Sequence, residues 1–168
     1  INKYERSVRR KIVTHMSVSS KPDINLGLIL TSIVIDIERI GDYTKNIVEL
    51  AVSVSGPFDG LELADEVAWV EARVTEMFDD IVPMLDSSDV DLARSVIEAH
   101  GGVAQKVDKH VAALSSGQAL SGRSGHAVTV AIYLRFLKRV SAHLKNVATS
   151  VVNPYYRIGF REKEESED

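Results

Sequence analysis

Cysteine is absent from the 168 residues, which excludes a disulfide framework and any thiolate metal site. The absence fits a reducing compartment, and a cytoplasmic protein is expected. No run of about 18 uncharged apolar residues occurs, so no membrane-spanning segment is expected. The longest apolar stretch, residues 24–35, is closed by Asp36 and Glu38. No signal peptide is recognisable. The four prolines fall at 22, 57, 83 and 154, where they punctuate long helical patterns rather than interrupt them. Positive charge is not in excess: the net charge is -4, which gives no reason to expect nucleic acid as a partner. Glycine-rich phosphate loops, nucleophile constellations and Glu-x-x-His pairs are all missing, and the five histidines are scattered. An enzyme is therefore not expected, including a di-iron carboxylate enzyme of the four-helix type.

What is present is helical periodicity. Leu26, Leu30, Ile33, Ile37, Ile40, Thr44, Ile47, Ala51 and Val54 recur at alternating spacings of four and three, the seam of a helix packed on other helices. Around it the pattern predicts helices over residues 1–18, 24–54, 62–85, 89–114 and 125–152. Asp23 and Asp89 stand where N-caps are needed. The first helix carries the stripe Ile1, Tyr4, Val8, Ile12 and Met16; the third carries Leu63, Val67, Val70, Val74, Met77, Ile81 and Met84. Pro83 should lie in or distort the last turn of that third helix. The breaker cluster at residues 55–60 marks a boundary, and residues 115–125 read as a Ser/Gly-rich, mobile loop.

The polar side of the second helix holds Glu38, Asp42, Asn46 and Glu49, which at roughly 100° per residue share about 80° of arc. Glu38 and Asp42 are four apart, so two like charges are neighbours, a small conflict that a cation would relieve. Hard cations take about six oxygens, of which these side chains supply part and water the rest. The bland alternative is a solvated face neutralised by Arg39 and Lys45. A second acidic group, Glu76, Asp79 and Asp80, reads first as plain surface.

A shift of 100 residues lays the seam of the second helix on His126, Val130, Tyr133, Leu137, Val140, Leu144, Val147 and Val151. Arg39 then falls on Arg139, Lys45 on Lys145 and Asn46 on Asn146. The second and fifth helices are thus equivalent parts of two copies of one unit. The second copy has three helices and the first shows two, so a further helix is expected ahead of Ile1. The acidic pair is not repeated: Lys138 and Ala142 stand at the positions of Glu38 and Asp42.

The sequence from Glu38 through Arg39, Ile40, Gly41, Asp42, Tyr43, Thr44, Lys45 and Asn46 to Glu49 resembles the signature helix of the PhoU family of phosphate-uptake regulators. With the repeat, the resemblance extends over nearly the whole chain up to Val152. It implies an all-α protein of tandem three-helix-bundle repeats, the first represented by two helices: residues 1–55 and 61–153, followed by a charged tail at 154–168 whose end, from Arg161, should be disordered. It implies regulation of phosphate uptake and phosphate-starvation signalling through contact with the phosphate ABC transporter and its sensor kinase, at the inner face of the membrane. It also implies a metal ion, iron, manganese, magnesium or zinc, at Glu38, Asp42, Asn46 and Glu49, no organic cofactor, and a homo-oligomer. The alternatives are a cytosolic accessory domain held by the transmembrane part of a sodium/phosphate cotransporter, and a metal-free helical scaffold.

Charge is unevenly placed along the chain. Residues 59–98 are acid-rich, and residues 122–159 hold six basic residues and no acidic one, so helices of one bundle should attract each other through these stretches.

Overall fold

The computed structural model describes residues 1–53 and 62–162. Five α-helices follow in order: α1 (Asn2–Val18), α2 (Ile24–Ser53), α3 (Ala64–Ser87), α4 (Val90–Ser115) and α5 (Ser124–Val152). A short 3-10 turn closes the described chain at Tyr155–Arg157. No strand occurs among the described residues, and the breaker cluster at 55–60 lies outside them. The architecture is all-α, with two tandem helical repeats, the first represented by α1 and α2 and the second by α3, α4 and α5.

The starts and ends follow from local chemistry. Asp23 accepts from the Leu26 amide at 2.8 Å and Asp89 from the Leu92 amide at 2.9 Å, each satisfying an orphan N–H of a first turn. Pro83 sits inside α3, which nonetheless continues to Ser87 and ends on Ser88 in the left-handed region. α2 and α5 begin at residues 24 and 124, as the internal shift requires.

α5 is the central element, in contact with α2, α3 and α4, while α1 packs on α2 alone among the helices described. The core takes in most of the expected seams of α3 and α5, with Leu134 buried in place of Tyr133: Val67, Val70, Val74, Met77 and Met84 face Val96, Val103, Val107 and Leu114 of α4, and Val130, Leu134, Leu137, Val140, Leu144 and Val147 run between them. α1 and α2 are antiparallel and very close. A Cβ on Gly27 would meet Met16 and Ile12, and one on Gly41 would meet Ile1, so the glycines let the two helices approach. α2 and α5 also cross antiparallel, since Asp36 meets His143 and Asn146 while Thr44 and Ile47 lie beside Tyr133 and Leu137.

Three expectations are corrected. On α2, Ile33, Val34 and Ile40 are buried, but Leu26, Ile37 and Thr44 are exposed, because among the described elements only α1, α5 and the short 3-10 turn reach this helix. On α1, Ile12 is the one buried residue, and Ile1 and Tyr4 stand open. The 115–125 loop is not loose: Ala119 and Leu120 insert into the core, and the Leu120 amide donates to Glu62 at 3.3 Å. Of the 154–168 segment, the described part folds back on α5. Asn153 donates to the Arg157 and Phe160 carbonyls, Thr149 accepts from the Gly159 amide at 2.7 Å, and Glu162 forms a two-point ion pair with Arg94 on α4.

Candidate functional site

The four residues singled out on α2 share one side of the helix, and the structure shows how their charge is handled. The Arg39 guanidinium lies 3.7 Å from the Glu38 carboxylate and 3.8 Å from that of Asp42, between the two. Lys45 pairs with Glu49 at 3.4 Å, one turn further on. Glu38 is largely covered, Asp42 and Asn46 are half-exposed, and Glu49 is exposed. Among the described residues, no three His, Cys, Asp or Glu side chains come together as a metal-holding group. The face therefore offers two adjacent carboxylates with a cation already between them, about a third of a hard cation's oxygen shell. In the second repeat, Lys138 occupies the Glu38 position and donates to both oxygens of Asp108 at 2.7 and 2.6 Å. Glu76 of the other acidic group is bonded by Arg73 three residues away.

A second polar cluster, away from the acidic face of α2, lies where α2 crosses α5. Asp36 sits on the buried arc of α2 with Ile33, Ile40 and Ile47. Its Oδ1 accepts from Asn146 Nδ2 at 2.9 Å and lies 2.7 Å from His143 Nδ1. The two ion-paired side chains retain 14% and 20% exposure, Asp36 and His143 respectively. Tyr43, the repeat counterpart of His143, stacks on that imidazole at 5.8 Å and tilts against Phe136 at 5.9 Å. Phe136 is in turn the counterpart of Asp36. The crossing is thus two-fold in pattern but chemically one-sided: a carboxylate meets His143 and Asn146, and a phenyl ring meets Tyr43. An acid on an otherwise apolar arc was the available signal, because a carboxylate facing inward requires donors from the opposing helix.

Other ionisable groups at the core are explained by their neighbours. Lys145 donates to the Gly159 carbonyl at 2.6 Å; burial lowers its pKa, against the pull of Asp36. The Lys106 hydrogen bond holds the Glu66 carboxyl below its usual range. Lys106 also lies over the Trp69 ring at 4.5 Å. Burial raises the Tyr133 hydroxyl, as does its 2.6 Å hydrogen bond to Glu71. The basic residues of α5 find their acid on α4: Arg135 and Lys138 both pair with Asp108, outside the acid-rich stretch expected to hold them.

His100 on α4 gives a pH prediction. Its Nδ1 lies 2.9 Å from Ser141 Oγ on α5, and burial, helped by Lys145 and Lys138, lowers its pKa. The folded state then takes up this proton later than the unfolded chain. The stabilising difference is full above the unfolded value of about 6.5 and is lost as pH falls from there toward the lower folded value. The fall in melting temperature between about pH 7 and pH 5 should be shallower for His100→Gln than for the parent. Parallel slopes would show that His100 takes no part in the acid sensitivity.

The PhoU domain family model matches residues 1–51, covering α1 and nearly all of α2. The chain is similar to the phosphate-specific transport system accessory protein PhoU homolog of Synechocystis, 23% identical over 164 residues, spanning 96% of this chain and 72% of that one. It is similar to the PhoU homolog of the same description from Pseudomonas aeruginosa, 25% identical over 155 residues, spanning 90% of this chain and 64% of the relative. The crystal structure of PhoU from Pseudomonas aeruginosa shares the fold with a TM-score of 0.77 at 23% identity, over 90% of this chain and 74% of that chain. The signature resemblance at residues 38–49 falls inside the family match, and the chain is PhoU-like in fold across both repeats.

Proposed function

We propose that the chain serves as a regulatory accessory protein of a phosphate transport system, working by protein–protein contact with the transporter and a sensor kinase. The observation that carries this reading is similarity to two phosphate-specific transport accessory proteins over 90% or more of the chain, through both repeats. The geometry supports it: the charged and polar groups are arranged as helix-to-helix pairs and exposed faces, the equipment of a docking protein rather than of a reaction centre. No helix among the described residues is long and apolar enough to cross a membrane, so transport itself would lie with another chain or segment. The division into a two-helix unit at 1–55 and a three-helix unit at 61–153 is part of the same reading, with the α2–α5 crossing as the joint between them. The test is complementation. A host lacking its own phosphate-uptake accessory protein should recover phosphate-dependent repression of its starvation genes when given the full natural chain, and unchanged derepression would overturn the reading.

A metal at Glu38 and Asp42, with Asn46 and Glu49 at the rim, is the finer part of the proposal. A hard divalent or trivalent cation would bind there only with Arg39 turned outward and water completing the shell, hence weakly. Protein purified without chelator should retain metal, and the double variant Glu38→Ala, Asp42→Ala should lose it. Equal metal content in the two would remove the site. Retention through the Lys138/Asn146 face would instead reverse the asymmetry between the repeats.

A further inference from the structure

The outer side of the second repeat holds a valley that the fold itself leaves unused. α3 and α4 run antiparallel there, with Glu66 beside Lys106 and Trp69 beside Gly102. Between them lies a hollow of about 380 Å³ lined by Trp69, Arg73, Ser95, Glu98, Ala99 and Gly102. Trp69 is 39% exposed, a large ring left open to a surface groove. Gly101 and Gly102 are both exposed in the middle of α4, where glycine weakens a helix. The fold demands neither. Neither has a positive φ, and α4 runs on through them to Ser115. A Cβ on Gly101 would meet nothing within 4 Å, and one on Gly102 would meet only the edge of the Trp69 ring at 3.7 Å, an ordinary contact. The pair costs stability and returns nothing to the core. What it leaves is bare backbone beside an indole.

The rest of the valley is acidic. At roughly 100° per residue, Trp69, Arg73, Glu76 and Asp80 share one side of α3, and Asp91, Ser95, Glu98 and Gly102 one side of α4. From the Trp69 end the antiparallel register sets Arg73 near Glu98, then Glu76 near Ser95, then Asp80 near Asp91, a length of about 17 Å or three helical turns. The one base among these, Arg73, is bonded to Glu76, and Asp91 has Arg94 at 3.6 Å. Glu98 and Asp80 have no cationic partner among the described residues. The valley therefore has an aromatic end followed by uncompensated carboxylate, a surface that attracts a basic occupant and repels nucleic acid or an acidic segment. A third helix fits between two antiparallel ones by ridges-into-grooves packing, and bare Cα atoms let its backbone come close.

We infer that this valley docks a basic helical segment of a partner protein, about three turns long, with an apolar side chain against Trp69 and Gly102 and Lys or Arg side chains reaching Glu98 and Asp80. The inference deepens the regulatory reading above and rests on its view of the chain as a docking protein. Its test reads the binding of a defined peptide, whereas complementation reads phosphate response, so the failure of one is distinct from the failure of the other.

Trp69 is the one tryptophan of the 168 residues, so tryptophan fluorescence reports on this valley alone. The probe is a capped, alanine-based helix of about 14 residues with a leucine in its first turn and arginines along the same side; its control has glutamates in place of the arginines. Titrated into the 168-residue chain at physiological salt, the basic helix should bind at micromolar concentration and shift the Trp69 emission to the blue, and the acidic one should do neither. By calorimetry, with circular dichroism to confirm folding, Glu98→Lys and Trp69→Ala should each weaken binding about tenfold. Asp86→Lys makes the same charge change about 20 Å further along α3 than Arg73 and should leave binding within about twofold. Gly101→Ala combined with Gly102→Ala should raise the melting temperature by about 5 °C and weaken binding about tenfold, because the two move oppositely only if the glycines serve the partner. No binding, binding without a change in Trp69 emission, equal losses in Glu98→Lys and Asp86→Lys, or a stabilised glycine variant that binds like the parent would each overturn the proposal. So would a Trp69 emission that shifts with the concentration of the chain itself, which would put a second copy in the valley.

Discussion

Replacing Leu144 by alanine is expected to destabilise the protein by roughly 3 kcal/mol, with a melting temperature lower by about 6–12 °C in a chain of this size. Leu144 is 1% exposed on α5, the helix that touches three others, so the vacated volume is enclosed by side chains already in place and cannot collapse. The counterpart position on α2 should behave quite differently. Thr44 is exposed and spends its hydroxyl on the Ile40 carbonyl at 2.9 Å, so Thr44→Ala should stay within about 0.5 kcal/mol of the parent. Thermal denaturation of the two variants side by side is the measurement. Equal losses would mean that the two repeats share one evenly packed core, contrary to the burial described.

The Asp36 cluster gives the second large effect. Asp36→Ala removes the acceptor that both His143 and Asn146 use and leaves two donors facing a non-polar side chain, at a cost of roughly 1–3 kcal/mol. Asp36→Asn retains an acceptor oxygen and loses the charge, so it should cost about half as much. The counterpart change, Phe136→Ala, removes ring contact with Tyr43 and no hydrogen bond, so its loss should come from packing alone. Denaturant titration separates the three by midpoint. If Asp36→Ala matches the parent, the polar contact at the crossing contributes nothing to holding α2 on α5.

Most of the fold was legible because the chain obeys its local rules. Helix starts came from Asp23 and Asp89, helix extents from the four-three spacing, and the equivalence of α2 and α5 from a shift of 100 residues. Leu26 and Ile37 misled for a reason periodicity cannot detect. A helical stripe states which side of α2 is apolar, not whether the chain brings anything to cover it. The loop misled in the opposite sense, since serine and glycine around Ala119 and Leu120 masked two residues that belong in the core. At the candidate metal face the acidic pair was plain in the sequence, but Arg39 reads equally as a solvated neighbour until its guanidinium is seen between the two carboxylates. Asp36 was readable in principle: its helical angle placed it among isoleucines, and only a donor pair on another helix makes that tolerable.

The attachment of α1 to α2 alone has a consequence for how the molecule opens. A helix with a single buried side chain, Ile12, and a single neighbour among the described helices has little holding its amides closed. Its backbone hydrogens should exchange with solvent through local fraying, orders of magnitude sooner than those of α5, which are released only when the whole core comes apart. Limited proteolysis should follow the same gradient and cut first among the basic residues of α1, Arg6, Arg9, Arg10 and Lys11, all exposed. α2 would lose Ile1 and Ile12 at the same moment and keep its crossing with α5. The last part to open would be the α4–α5 pair, the most extensively packed of the described helices, which are neighbours in sequence and so also pair readily on refolding.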